Sequence, residues 1–209
     1  MSLRLTFLCA SPVEGTRGPA FGDGPPDGRA RRAAANDKAV LPPYSLALRA
    51  PSARCAQTAE ALGVAATPED ALRDIDHGTW SGRTHADIRA EDPHGLSAWL
   101  TDPEAAPHGG ESVGRLCRRT ASWLDALPDG VGRVLAITEA SVVRAALVHA
   151  LSVPTRAFLH LDVPRGSAVT LTRCDGLWHA GLGDPEVPRQ RASADGTALV
   201  GTTAYVARR

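Results

Sequence analysis

Short apolar segments alternate with helical segments along most of this chain, and this alternation restricts the fold more than any other feature. Residues 3–9 (LRLTFLC), 44–50 (YSLALRA) and 132–138 (GRVLAIT) each have the composition of a buried strand. Helical periodicity follows the last two of them, over 52–63 and 140–151. Because strands that alternate with helices form a mainly parallel sheet with helices on both faces, we predict an α/β fold.

Capping residues define the ends of some of these elements. Ser52 is predicted as the N-cap of its helix and Gly63 as the residue that ends it. Glu111 is predicted to begin a later helix as part of its cap. The remaining predicted elements are a helix over 29–39 after a Gly- and Pro-rich loop at 15–28, a polar helix over 85–92, an amphipathic helix over 111–127, and a hairpin of 167–174 with 177–182.

The chain length fits one well-packed core, and no change in composition divides it, so we predict a single domain over 1–209. Residues 185–209 are rich in Arg, Ala, Gly and Thr and are predicted as a tail or an edge strand. The apolar opening segment is too short for a signal peptide, and no segment has the length of a membrane span. We therefore expect a cytoplasmic protein with no membrane contact.

The charge is balanced, with 23 Lys and Arg against 23 Asp and Glu. Such a chain has no overall field to attract nucleic acid, and any anion site must be local. The four cysteines (Cys9, Cys55, Cys117 and Cys174) lie far apart, with no CxxC pair and no histidine at zinc-finger spacing. We therefore predict buried, reduced thiols, no metal and no cofactor.

Four segments occur in an order typical of one known family. They are SARCAQTAEALG, LRDIDHGTWSGRT, WLTDPEAAPHGGES and VLAITEASVVRAAL. Each resembles a motif of the histidine phosphatase (phosphoglycerate mutase-like) superfamily, in turn Ser-x-x-Arg-x-x-Gln-Thr-Ala, Leu-Arg-Glu-Ile-x-x-Gly-x-Trp-x-Gly-Arg, Pro-x-Gly-Gly-Glu-Ser and Val-Thr-His-Gly-x-x-Ile-Arg. The resemblance runs from Leu3 to about Leu171 and implies a phosphoglycerate mutase-like fold. Its site would lie where the parallel strands end.

The resemblance implies a phosphoryl-transfer reaction that this chain is not equipped to perform. Family members carry an Arg-His-Gly triplet after the first strand, and its histidine becomes a phosphohistidine; here the triplet is Cys9-Ala10-Ser11. A methyl side chain cannot attack phosphorus, so Ala10 excludes that mechanism. The family's second histidine corresponds to Glu139, whose anion would repel a dianionic phosphate.

Part of the family's charged pocket is retained. Arg54 stands at the position of a phosphate-binding arginine, and Asp74 at that of the general-acid glutamate. Thr16 and Arg17 lie in the loop that closes over the phosphate in the family, where Arg17 would supply a new cation. We predict Asp74 and Glu139 as the catalytic pair. The predicted substrate-binding residues are Arg54, Arg17, Thr16, His77, Cys9, Ala10 and Ser11.

Each of these residues also has a purely structural interpretation. Arg54 either contacts substrate or forms an internal ion pair with Asp74 or Glu139. Asp74 and Glu139 approach each other as an acid and a base, or Glu139 only caps its own helix. His77 is a proton shuttle at the rim of the cleft, a metal ligand with the two carboxylates, or a surface residue.

Other candidate side chains are weaker. Cys9 and Ser11 are nucleophiles by position, but they lack a neighbouring imidazole to accept the proton. His149 lies within an amphipathic helix and is interpreted as a structural histidine.

Three functions are compatible with these residues. The first is an acid–base enzyme that acts on a small metabolite of at most one negative charge, by proton transfer, dehydration, cyclisation or hydrolysis, in a biosynthetic pathway. The second is an inactive pseudophosphatase that binds a ligand or a protein. The third is a residual phosphatase in which water attacks directly, which the charge of Glu139 opposes. A small-molecule partner is expected, and a homodimer is compatible with the sequence.

Overall fold

The computed structural model of the chain describes residues 2–10, 21–22, 43–164 and 166–181. Six strands in these ranges form one sheet. They are β1 (Leu3–Cys9), β2 (Leu46–Arg49), β3 (Thr67–Pro68), β4 (Arg133–Thr138), β5 (Ala168–Cys174) and β6 (Leu177–Gly181). Their spatial order is β3–β2–β4–β1–β5–β6.

The first four strands in this order pair in parallel, and β5 and β6 extend the sheet in antiparallel fashion beyond β1. The predicted mainly parallel sheet is therefore confirmed. In β4 every residue from Val134 to Thr138 is buried, which requires cover on both faces of the sheet. Cys9 pairs with Thr138 at the ends of β1 and β4, so the segments that follow both strands leave the same edge.

Five α-helices accompany the sheet in these ranges. They are α1 (Ala53–Leu62), α2 (His85–Glu91), α3 (Pro93–Thr101), α4 (Val113–Ala126) and α5 (Ala140–Ala150). Helix α1 begins and ends as predicted: the Ser52 hydroxyl accepts a hydrogen bond from the Cys55 N–H, and Gly63 adopts a left-handed conformation with φ of 63°. The predicted hairpin of β5 and β6 is also confirmed.

Two details of the predicted helices are corrected. Helix α3 was not predicted, because Pro93 and Gly95 disfavour a helix in isolation. Pro93 instead occupies the first turn, and the Asp92 carboxylate accepts a hydrogen bond from the Gly95 N–H. The cap of α4 is Ser112, not Glu111, whose side chain forms an ion pair elsewhere.

Several predictions fall outside the part of the chain that the structure describes. The loop at 15–28 is described only at residues 21–22, and the helix over 29–39 and the segment 185–209 are not described at all. Among the helices that are described, none combines the length and the apolar character needed to cross a membrane.

The four thiols differ in accessibility, which gives a first testable prediction. Cys9, Cys55 and Cys117 are buried, but Cys174 is exposed, so its predicted burial was wrong. Burial raises the pKa of Cys117 to about 11 and also raises that of Cys55. We therefore expect Ellman's reagent to modify one thiol rapidly in the native protein and four after denaturation. Cys174→Ser should remove the rapid phase, whereas a rapid phase that persists in this variant would contradict the assignment.

Candidate functional site

A cavity of about 480 Å³ lies where β1, β2 and β4 end. Each of these strands places a lining residue at its last position or shortly after it. Cys9 ends β1, Arg54 lies in the first turn of α1 after β2, and Glu139 directly follows β4. The cavity is therefore at the edge of the sheet where parallel strands place ligand sites.

Arg54 and Glu139 form a buried ion pair in this cavity. Arg54 Nη1 lies 3.3 Å from Glu139 Oε2, and their side chains are 3% and 5% exposed. The Ser52 hydroxyl donates to Glu139 Oε1 at 3.2 Å, and the Cys55 thiol lies 3.5 Å from the same oxygen. Arg54 also donates from Nη2 to the carbonyl oxygen of Gly22 at 3.1 Å. Of the two carboxylates proposed as internal partners of Arg54, Glu139 is the one that pairs with it.

The position of Glu139 rules out one of its predicted roles. Its backbone is the N-cap of α5, but its side chain makes no capping hydrogen bond to that helix. The interpretation of Glu139 as only a helix cap was therefore wrong. The carboxylate is turned toward α1, where the Arg54 guanidinium, the Ser52 hydroxyl and the Cys55 thiol lie around it.

Asp74 lines the same cavity but is held by different partners. Its Oδ1 accepts a hydrogen bond from the Ser141 hydroxyl and another, of 2.8 Å, from the Ile75 N–H. Arg119 holds the segment that precedes Asp74. Arg119 forms an ion pair with Glu111 at 2.7 Å and donates to the carbonyl oxygens of Ala71 and Arg73. Glu111 thus positions the Asp74 segment through Arg119.

Aromatic rings form one wall of the cavity, from Phe21, His77, His85 and Trp99. Phe21 is at their centre, with its ring centroid 4.4 Å from that of His85, 4.8 Å from that of His77 and 5.7 Å from that of Trp99. His77 is buried, so the surface interpretation of this residue was wrong. Burial lowers the pKa of His77, which is therefore a neutral imidazole at pH 7.

The other predicted residues have mixed outcomes. Ala10 is buried and its N–H donates to the carbonyl oxygen of Thr138 at 2.7 Å, but Ala10 is not among the described residues that line the cavity. Ser11, Thr16 and Arg17 lie outside the described ranges. Within those ranges, no three His, Cys, Asp or Glu side chains are arranged to hold a metal ion. His149 contacts Asp125 at 3.0 Å, consistent with a structural role.

Sequence reasoning missed several residues of the cavity. Ser141 and Arg144 lie one turn apart on α5, and Phe158 and Asp162 come from the segment after that helix. The guanidinium carbon of Arg144 lies 5.9 Å from the centroid of the Phe158 ring. The helical spacing after Glu139 could have placed Ser141 and Arg144 on one face. No sequence pattern indicated Phe158 or Asp162.

Residues 26–182 match the model of the histidine phosphatase superfamily (branch 1). The chain belongs to this superfamily. Within it, the chain is 29% identical over 110 residues to the adenosylcobalamin/alpha-ribazole phosphatase of Salmonella typhimurium, a match of 51% of this chain and 54% of that protein. The chain thus spans about half the length of this relative. It is also 43% identical over 53 residues to a glucosyl-3-phosphoglycerate phosphatase of Mycobacterium tuberculosis, which is 25% of this chain and 24% of that protein.

Two solved phosphatase structures have the same fold. The alpha-ribazole phosphatase of Shigella flexneri superposes with a TM-score of 0.77 at 20% identity, over 87% of this chain and 96% of that chain. The mycobacterial glucosyl-3-phosphoglycerate phosphatase superposes with a TM-score of 0.74 at 21% identity, over 88% and 99% of the two chains. These likenesses support the phosphoglycerate mutase-like α/β fold predicted from the sequence.

Proposed function

We propose that this superfamily member has lost phosphohistidine chemistry and that its cavity transforms a small metabolite by acid–base catalysis. The main support for this proposal is the Arg54–Glu139 ion pair. If Ala10 and Glu139 occupy the positions of the family's two histidines, the nucleophile is absent and the cation of Arg54 already has an anionic partner. A dianionic phosphate would then compete with Glu139 for the same guanidinium.

The charges of the cavity support this reading. The lining residues in the described ranges include two cations, Arg54 and Arg144, and three anions, Asp74, Glu139 and Asp162, which gives a net charge of −1. Phosphoryl transfer instead depends on positive charge around the transferred group. This lining suits a ligand that is neutral or carries a single negative charge.

The acid–base roles divide between the two carboxylates. We assign proton transfer with the substrate to Asp74, because Asp74 lines the cavity and the Ser141 hydroxyl, which donates to its Oδ1, serves as a relay. We assign Glu139 to setting the charge of the cavity, since its carboxylate forms the ion pair with Arg54. His77, as a neutral imidazole, is the second group able to accept a proton.

A catalytically inactive binding protein is the second candidate. Arg54, Ser52 and Cys55 all direct their side chains to Glu139, so this carboxylate is engaged within the protein. A pocket in which Glu139 is engaged in this way binds ligands without this carboxylate being poised for reaction. Residual phosphatase activity is the third possibility, and the names of the two curated relatives support it.

Asp74→Asn tests the proposed function. We expect the wild-type protein to convert a component of a bacterial small-molecule extract, with the conversion measured by mass spectrometry. We expect it to release no phosphate from a phosphomonoester panel. Asp74→Asn should reduce the conversion by about 10²-fold or more, because general acid–base groups contribute on that order. The matched control is Asp175→Asn, an exposed residue of the β5–β6 turn, where asparagine tolerates the positive φ of 52°.

The outcomes separate the three candidates. Conversion that depends on Asp74 but not on Asp175 supports the acid–base enzyme. Retention of an extract component by the protein without conversion supports the binding protein. Phosphate release by the wild-type protein would show that the loss of phosphatase activity is wrong.

A further inference from the structure

Arg144 is a cation of the cavity for which the described residues provide no anionic partner. It projects from α5 one turn after Ser141 and lines the cavity. Its Nε is fully buried and has no hydrogen-bond partner. Asp74 and Asp162 line the same cavity, yet neither lies within the 4.0 Å that defines an ion pair with Arg144. Among the described residues, the ring of Phe158 lies against its guanidinium, with the ring centroid 5.9 Å from Cζ.

The buried Nε of Arg144 has no hydrogen-bond partner, and no carboxylate among the described residues pairs with this guanidinium. Withdrawal of a charge from water has a cost that a partner normally offsets, and a planar guanidinium is suited to bind a carboxylate through two parallel hydrogen bonds. Arg54 shows the usual situation, with a carboxylate at 3.3 Å. The contrast between these two arginines indicates that the partner of Arg144 is supplied by a ligand.

The remainder of the cavity restricts the ligand further. A second negative charge would meet Asp74 and Asp162, whose charges repel it. The wall of Phe21, His77, His85 and Trp99 is aromatic and suits an unsaturated or aromatic group, although these rings are largely packed against one another. A volume of about 480 Å³ is sufficient for a ligand of a single ring with substituents.

We propose that Arg144 binds the carboxylate of a monoanionic aromatic or unsaturated carboxylic acid, whose ring packs on this wall. This inference rests on the proposed function, since it specifies the class of ligand that the same cavity binds. In this proposal the anion binds to Arg144, one turn into α5, and not to Arg54, which pairs with Glu139.

Ligand-observed NMR with defined probes tests the assignment. The probes are benzoate and phenylacetate, their uncharged amides, and phenyl phosphate, each titrated at millimolar concentration. We expect both carboxylates to bind the wild-type protein and to bind more tightly than the amides and phenyl phosphate. Arg144→Met, which keeps the apolar stem, should weaken carboxylate binding at least about tenfold and leave the amides unchanged, since a charge-assisted hydrogen bond is lost.

Two further variants control for charge and folding. Arg144→Lys keeps the charge and should retain part of the carboxylate affinity, which a purely structural arginine would not predict. Arg115→Met removes an exposed arginine of α4 and should change no affinity. Thermal denaturation of all variants establishes that they are folded.

The possible results distinguish this inference from the proposed function. Carboxylate binding that is the same in Arg144→Met, or amides that bind as tightly as the acids, would overturn the role of Arg144 and leave the ligand cavity in place. Failure of every probe to bind the wild-type protein would overturn the role of Arg144 together with the aromatic ligand class. The proposed acid–base function would still be testable through Asp74→Asn. Tighter binding of phenyl phosphate than of benzoate would overturn both proposals.

Discussion

Glu139→Met is expected to lower the free energy of unfolding by about 3 kcal/mol, because it removes one partner of a buried ion pair. The Arg54 side chain is 3% exposed and its guanidinium lies 3.3 Å from the Glu139 carboxylate. Loss of this carboxylate removes an anion that compensates a largely buried cation. Chemical denaturation followed by tryptophan fluorescence measures the change, and Trp123, which is in the core, reports on it.

A double-mutant cycle separates the ion pair from the loss of packing. We expect Arg54→Met/Glu139→Met to be more stable than either single variant, because two apolar side chains of similar volume have no charge to compensate. Glu91→Met is the surface control. Glu91 pairs with Arg83 but is 64% exposed, so its loss should cost less than about 1 kcal/mol. Additive effects of the two cavity substitutions would show that Arg54 and Glu139 do not interact energetically.

The fold was predictable because its signals are local. Apolar strands, the hydroxyl of Ser52 and the glycine at position 63 each act within a few residues, and the structure confirms all of them. Helix α3 was not predicted, since Pro93 and Gly95 disfavour a helix in isolation. The Asp92 cap and the burial of Leu96 and Trp99 outweigh that preference in the folded chain.

The candidate site was only partly predictable. The three charged residues Arg54, Asp74 and Glu139 follow from strand ends and family motifs, and all three line the cavity. The aromatic wall could not be predicted, because Phe21 and Trp99 are far apart in sequence and meet only through tertiary packing. The choice of Glu139 over Asp74 as the partner of Arg54 likewise depends on distances of a few ångströms between elements.

Ala10→His combined with Glu139→His is expected to create phosphomonoester hydrolysis, with a rate on the order of 10²-fold above the background release measured with the wild-type protein. The first change supplies an imidazole nucleophile next to Cys9, which lines the cavity. The second removes the anion that occupies Arg54 and so makes this guanidinium available to a phosphate. Colorimetric phosphate release measures the rate, and an acid-labile, base-stable phosphoprotein identifies the phosphohistidine.

The single variants determine which of the two changes limits the reaction. Ala10→His alone keeps the Arg54–Glu139 ion pair and should stay close to the wild-type rate, and Glu139→His alone lacks the nucleophile and should do the same. Because both changes are needed, their effects should be strongly non-additive. If Ala10→His alone were as active as the double variant, the ion pair would not exclude phosphate. Hydrolysis by the wild-type protein at the rate of the double variant would instead mean that a residue other than an imidazole after β1 performs the attack.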